Sequence, residues 1–187
     1  MTETIEDYNV AILRGINVSG KNMIKMPALT NMLKEIGFHS VKTYLQSGNV
    51  IFKSQSTKPE DFAKQISDRI QKEFGLKVPV IVISGSYLQK VRDSNPFVKR
   101  NDIDLTKLHV TFLSEEPASE NESKINAEQY LPDEFVVEKR TVYLHCPGSY
   151  GETKLNNNFF ENKLKVTATT RNWKTVNALV ELVHGKN

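Results

Sequence analysis

The chain has 187 residues, enough for one large domain or two small ones at about 150 residues per domain. Hydrophobic residues at 39% and charged residues at 25% exclude collagen-like, disordered and disulfide-scaffold classes. No apolar run approaches the roughly 20 residues a membrane helix needs.

The net charge of +3 is unevenly spread: residues 1–100 carry 15 Lys/Arg against 9 Asp/Glu, residues 101–138 carry 2 against 10, and residues 139–187 carry 8 against 3. The plain reading is a solvated acidic face between two ordinary domains. The sharper one is a basic surface built from both ends, which attracts phosphate-bearing partners. The single cysteine, Cys146, excludes an intramolecular disulfide. With an N-terminus too acidic and polar for a signal peptide, it gives the expectation of a cytoplasmic protein.

In chain order, residues 8–13 read as a short buried strand. The run Arg14-Gly15-Ile16-Asn17-Val18-Ser19-Gly20-Lys21-Asn22 reads as a loop whose glycines permit unusual backbone angles. A helix follows, with Pro27 in its first turn, Leu29, Met32, Leu33 and Ile36 on one face, and Gly37 as its stop. Residues 41–46 and 50–53 are predicted strands joined by the turn Ser47-Gly48-Asn49. Pro59 opens a second helix on Phe62, Ile66, Ile70 and Phe74, ended by Gly75. A strand over 79–83 and a helix capped by Ser84 or Ser86 complete a β-α-β-β-α-β order, that of a ferredoxin-like sandwich.

The second half repeats much of this. Residues 107–113 read as a strand, Pro117 opens a polar helix toward Tyr130, and residues 135–138 and 141–145 form a hairpin. Leu155, Phe159, Phe160 and Leu164 predict one helix, and Trp173, Val176, Leu179, Val180 and Val183 another. The expected fold class is α+β: two ferredoxin-like repeats with antiparallel sheets, residues 1–98 and 99–187, the second in β-α-β-β-α-α order.

Several segments are more specific. Leu13-Arg14-Gly15-Ile16-Asn17-Val18, Gly20-Lys21-Asn22 and Tyr44-Leu45-Gln46-Ser47-Gly48-Asn49-Val50 stand in the first half. Asn95-Pro96-Phe97, Thr153-Lys154 and Thr170-Arg171-Asn172-Trp173-Lys174-Thr175 follow. Together they resemble a bacterial family of unknown function, domain-of-unknown-function family 1697, over nearly the whole chain. The resemblance implies a two-repeat α+β fold and no established activity. Ser19 stands where relatives commonly have glycine, which makes the loop slightly stiffer.

Residues Gly15 to Lys21 match phosphate-loop spacing after a strand, but Asn22 replaces the expected Ser or Thr, and helix signals begin only at Pro27. The plain alternative is a glycine-permitted βα connection; beside it stands the reading in which Lys21 and free backbone N–H groups hold an anion without metal. Thr169 or Thr170 reads as a helix cap, putting Arg171 in the first turn of the last helix, and Lys154 stands similarly at the preceding one. Cations there oppose the helix dipole and point to a nearby negative group, from a ligand or from the chain itself. Asn17 and Asn22 are equally explained by hydrogen bonds within their loop. Trp173 reads as core, and the adjacent His145 and Cys146 face opposite sides of a strand. His39, His109, His145 and His184 have no metal-ligand spacing.

The candidate ligand-binding set is therefore Arg14, Asn17, Lys21, Asn22, Gln46, Asn49, Lys154, Arg171 and Asn172, expected to meet at a cleft between the repeats. The expected function is a binding module for a phosphate-bearing small molecule or nucleic acid, with no metal, cofactor or membrane. Two alternatives stand beside it. One is an enzyme in which Arg14 and Arg171 clamp a small anion, though no base or nucleophile is evident. The other is an interaction protein whose arginines pair with internal carboxylates.

Overall fold

The computed structural model describes residues 7–18, 20–44, 48–54 and 59–185. In order, β1 (Asn9–Leu13), α1 (Met26–Glu35), β2 (His39–Tyr44), β3 (Asn49–Lys53), α2 (Pro59–Phe74) and β4 (Val80–Ser84) form the first β-α-β-β-α-β run, followed by α3 (Gly85–Asp93). Then β5 (Leu108–Leu113), α4 (Ser119–Glu122), β6 (Glu134–Glu138), β7 (Thr141–His145), α5 (Asn157–Leu164) and β8 (Ala168–Asn172) repeat it, followed by α6 (Trp173–Val183). The two four-stranded sheets run β2-β3-β1-β4 and β6-β7-β5-β8, antiparallel throughout. Two sheets of identical strand order establish the α+β duplication.

The chain divides into two compact units, Met1–Gln89 with Leu179–Asn187, and Lys90–Ala178. The change at Gln89/Lys90 falls inside α3, a few residues before Asn95-Pro96. Asn95 is buried and its side chain accepts the Phe97 N–H at 3.0 Å, opening a short 3-10 turn, Pro96–Lys99.

In the first unit the period-2 pattern of the strands and the 3.6-residue pattern of the helices meet in one core. Ala11, Leu13, Val50, Phe52 and Val82 pack with Leu29, Met32 and Leu33 of α1 and Phe62, Ile66 and Ile70 of α2. Phe38 stacks on Phe52 at 4.2 Å, and both meet Phe62 edge-on, a geometry that adds to the burial term. Val10, Ile12, Ile51, Ile81 and Ile83 are buried on the opposite sheet face.

The second unit packs Leu113, Val142, Leu144 and Ala168 against Phe160 and Leu164 of α5. Leu155 belongs to this core but precedes the helix, whose cap is Asn156, accepting from the Phe159 N–H at 3.0 Å.

Three expectations are corrected here. Residues 168–172 form a strand, so the second repeat runs β-α-β-β-α-β-α and not β-α-β-β-α-α. The polar helix expected from Pro117 to Tyr130 reduces to α4 and a 3-10 turn, Ala127–Tyr130, because its residues offer no continuous apolar face to bury. Arg171 and Lys154 lie outside helix first turns: Arg171 is on β8, and Lys154 precedes the Asn156 cap. The argument from cations misplaced on helix dipoles therefore fails at both positions.

Candidate functional site

The glycines and asparagines of the first loop are there for backbone geometry. Gly15, Asn17, Gly20 and Asn22 all take positive φ, at 70°, 54°, 73° and 48°, where L side chains other than Asn are strained. Asn17 clamps the loop: its amide donates to the Ile24 carbonyl at 2.9 Å and accepts the Ile24 N–H at 2.8 Å. The Asn22 amide donates to the Gly15 carbonyl at 3.0 Å. A turn closed by Lys21 N–H on the Val18 carbonyl at 2.9 Å forms the tip, and α1 begins only at Met26. A phosphate loop instead runs straight into its helix, so the spacing match is a tight turn. Lys21 is exposed at this tip, and Arg14 is half-buried at its base.

The second motif supports the first. The Gly48 carbonyl accepts the Leu13 N–H at 2.8 Å, and a Cβ at Gly48 would sit 2.8 Å from Leu13 Cβ and 2.9 Å from Ile16 Cγ1. Asn49 is fully buried and donates to the Tyr44 carbonyl. Gln46 lies outside the described residues. A cavity of about 390 Å³ adjoins this loop, lined by Asn17, Met23, Ile24, Lys25, Met26 and Pro27.

The second unit carries a different kind of site. Strand β8 runs directly into α6, and Asn172 caps that helix by accepting the Thr175 N–H at 2.8 Å. A cavity of about 420 Å³ opens there, lined by Leu105, Thr106, Asn172, Trp173 and Lys174. Among these lining residues there is no carboxylate. Asp104, next to them, is engaged by the Thr106 N–H at 2.8 Å and its hydroxyl at 2.7 Å. Trp173 is buried as expected, with Val176 and Val180, while forming part of the cavity wall.

Of the residues singled out from sequence, Asn172 lines this cavity. Arg171 is half-buried on β8, its guanidinium donating to the Thr170 carbonyl at 2.9 Å, and burial pushes its pKa down to about 10. Lys154 is exposed. Lys174, Thr106 and Leu105 were not singled out. For Lys174 the available signal was the strand–cap–helix junction, hidden by reading the cap two or three residues early.

First-unit geometry gives a direct comparison. Strand β4 likewise runs into α3, with Ser84 as cap, accepting the Tyr87 N–H at 3.1 Å. There the next free N–H, that of Ser86, is accepted by the Asp7 carboxylate at 3.1 Å. The α3 N-terminus thus holds a carboxylate of its own chain, whereas the equivalent end of α6 carries Lys174 and a cavity.

A second polar cluster joins Arg100, Asp102, Glu134 and His145. The Arg100 guanidinium donates to Glu134 at 2.8 Å and to both oxygens of Asp102 at 3.3 and 3.0 Å. His145 Nδ1 lies 3.0 Å from Glu134 Oε1. Burial opposes ionisation of Glu134, yet bonds from His145 and Arg100 hold its carboxyl below the usual range. The bond from Arg100 does the same for Asp102. Cys146 faces the core instead, where burial pushes its thiol up to about 11. Among the described residues no cluster of three or more His, Cys, Asp or Glu could hold a metal ion, and no helix is long and apolar enough to cross a membrane.

The family described as protein of unknown function (DUF1697) matches residues 7–143. The conserved bacterial protein SP0830 from Streptococcus pneumoniae has the same fold at a TM-score of 0.67 and 21% identity, over 95% of this chain and 98% of that chain. No curated protein matches the chain.

Proposed function

We propose that this chain, which belongs to the DUF1697 family of proteins of unknown function, is a binding module for a small phosphate-bearing or similar oxyanionic ligand. The ligand would occupy the cavity at the start of α6. The observation that carries this reading is the contrast between two equivalent helix ends: α3 holds Asp7, while α6 opens on Lys174, Asn172 and Thr106 with no carboxylate among the described residues that line the space. Free N–H groups and the helix dipole favour an anion there, and Lys174 adds a full charge. The Trp173 indole and Leu105 supply an apolar wall for the remainder of the ligand.

A small ligand is favoured over a nucleic acid strand, which needs several exposed aromatic platforms along a basic groove. We read the doubled β-α-β-β-α-β order as ferredoxin-like and, with the lone buried Cys146, the setting as the cytoplasm. Titration calorimetry with inorganic phosphate and a nucleoside monophosphate tests the function. A hydrogen bond to a charged group contributes about 1.5–3 kcal/mol, so Lys174→Ala is expected to weaken binding roughly tenfold or more. Absence of binding by the wild type would overturn the reading. A steep loss of affinity with salt would point instead to a multi-phosphate partner.

A further inference from the structure

Two stretches of this chain are opposite in charge and alike in form. Residues 8–34 carry Arg14, Lys21, Lys25 and Lys34 and no Asp or Glu. Residues 125–138 carry Glu128, Asp133, Glu134 and Glu138 and no Lys or Arg. Each stretch also holds a large apolar side chain out in solvent: Met23 is 63% exposed on the first loop, and Leu131 is 66% exposed in the turn before β6. Single exposed apolar residues are ordinary on a protein surface. Here each sits in charge of one sign, and the two signs are opposite.

The basic stretch has a built floor. Met23 borders the cavity of about 390 Å³ whose other walls are Asn17, Ile24, Lys25, Met26 and Pro27. The Asn17 amide is engaged by both backbone groups of Ile24, and the Lys21 N–H by the Val18 carbonyl. What the cavity offers is an aliphatic floor of Met, Ile and Pro with ammonium groups at its rim. Lys21 and Lys25 are exposed, and the Arg14 N–H bond to the Pro79 carbonyl ties in the segment that carries the exposed Lys77. Glu73, ahead of that segment, is paired with Arg69 at 3.2 Å. The loop is held by its own hydrogen bonds, so docking has little ordering left to do. An apolar side chain flanked by carboxylates fits both the floor and the rim.

The acidic stretch presents such a side chain. Leu131 and Pro132 form an exposed tip between the 3-10 turn Ala127–Tyr130 and β6. Behind it, Tyr130 packs edge-on against Phe135 and Phe159, which gives the tip a fixed base. Glu128 is exposed on one side. On the other, Asp133 accepts the Thr153 hydroxyl and Glu134 accepts from Arg100.

We propose that the Leu131 tip of one copy docks in the Met23 cavity of a second copy, with Glu128 beside Lys21 and Lys25, so that the chain self-associates through two different surfaces. Such a contact is heterologous, because each copy offers both a tip and a cavity. Burial of Leu131 and Met23 supplies the affinity. The charges, worth little as single exposed pairs, decide which surfaces meet and how fast.

Sedimentation of the full chain over a range of concentrations tests this, in sodium chloride at about 0.01 M and about 1 M, where the screening length falls from about 30 Å to about 3 Å. The expected result is an average mass that rises with concentration at low salt, with association several-fold weaker at high salt. Leu131→Ser and Met23→Asp are each expected to weaken it tenfold or more. An equimolar mixture of the two variants is expected to associate again, since the first keeps its cavity and the second keeps its tip. Wild type monomeric under every condition, association that both variants retain, or a mixture that stays monomeric overturns the proposal. Should either variant fail to fold, carbodiimide cross-linking of mixed isotope-labelled and unlabelled wild type decides. Lys21 or Lys25 of one copy must then link to Glu128 of another, and absence of that link overturns the proposal.

Discussion

At the scale of single residues, the most recognisable motifs of this chain are explained by backbone geometry. Gly48 has φ of +77° and abuts Leu13 and Ile16, so its two neighbouring motifs are one packed corner. Gly48→Ala adds strain and overpacking together and is expected to cost about 2 kcal/mol or more, read by denaturant unfolding. Asn17→Ala removes two hydrogen bonds to Ile24 and an Asn from a left-handed position. It is expected to lower stability by about 1–3 kcal/mol, while leaving phosphate affinity unchanged in calorimetry. A selective loss of affinity in Asn17→Ala would return the ligand site to this loop. Cys146, buried with its thiol pushed up to about 11, is expected to resist thiol reagents at neutral pH until the protein unfolds.

At the scale of elements, the proposed site lies at the junction of β8 and α6. Replacing the Asn172 cap by Ala is expected to destabilise the protein by about 1 kcal/mol in thermal or denaturant unfolding. The junction was also the hardest part of the sequence to read. Strands with apolar alternation, such as Leu108–Leu113, and helices with a full apolar face, such as Pro59–Phe74, were legible from periodicity. The strand Ala168–Asn172 was not, because Thr169, Thr170, Arg171 and Asn172 carry no apolar alternation and Thr is equally at home in a cap. That misplacement hid Lys174 and put Arg171 on a helix. The Arg100 cluster ties the 3-10 turn after α3 to β6 and β7 through Glu134 and His145. Glu134 and Asp102 have depressed carboxyl pKa values, so their contribution is present at neutral pH and lost as pH falls through and below the usual carboxylate value of about 4. Glu134→Gln is expected to flatten the stability profile in that acidic window, measured by unfolding at stepped pH.

At the scale of the whole molecule, duplication supplies the argument for function. Both units carry the same four-strand order, and in both the fourth strand feeds a helix through a side-chain cap. The two helix ends then differ in what they hold: Asp7 in one, Lys174 with an open cavity in the other. A helix end that the chain fills with its own carboxylate in one copy is, in the proposed function, the end that takes an anion in the other. Amide chemical-shift mapping during titration with inorganic phosphate tests this most directly. The account expects saturable shifts centred on Thr106, Asn172, Trp173, Lys174 and Thr175, weakened in Lys174→Ala. Shifts centred instead on Arg14 to Asn22, or none in the wild type, would contradict it.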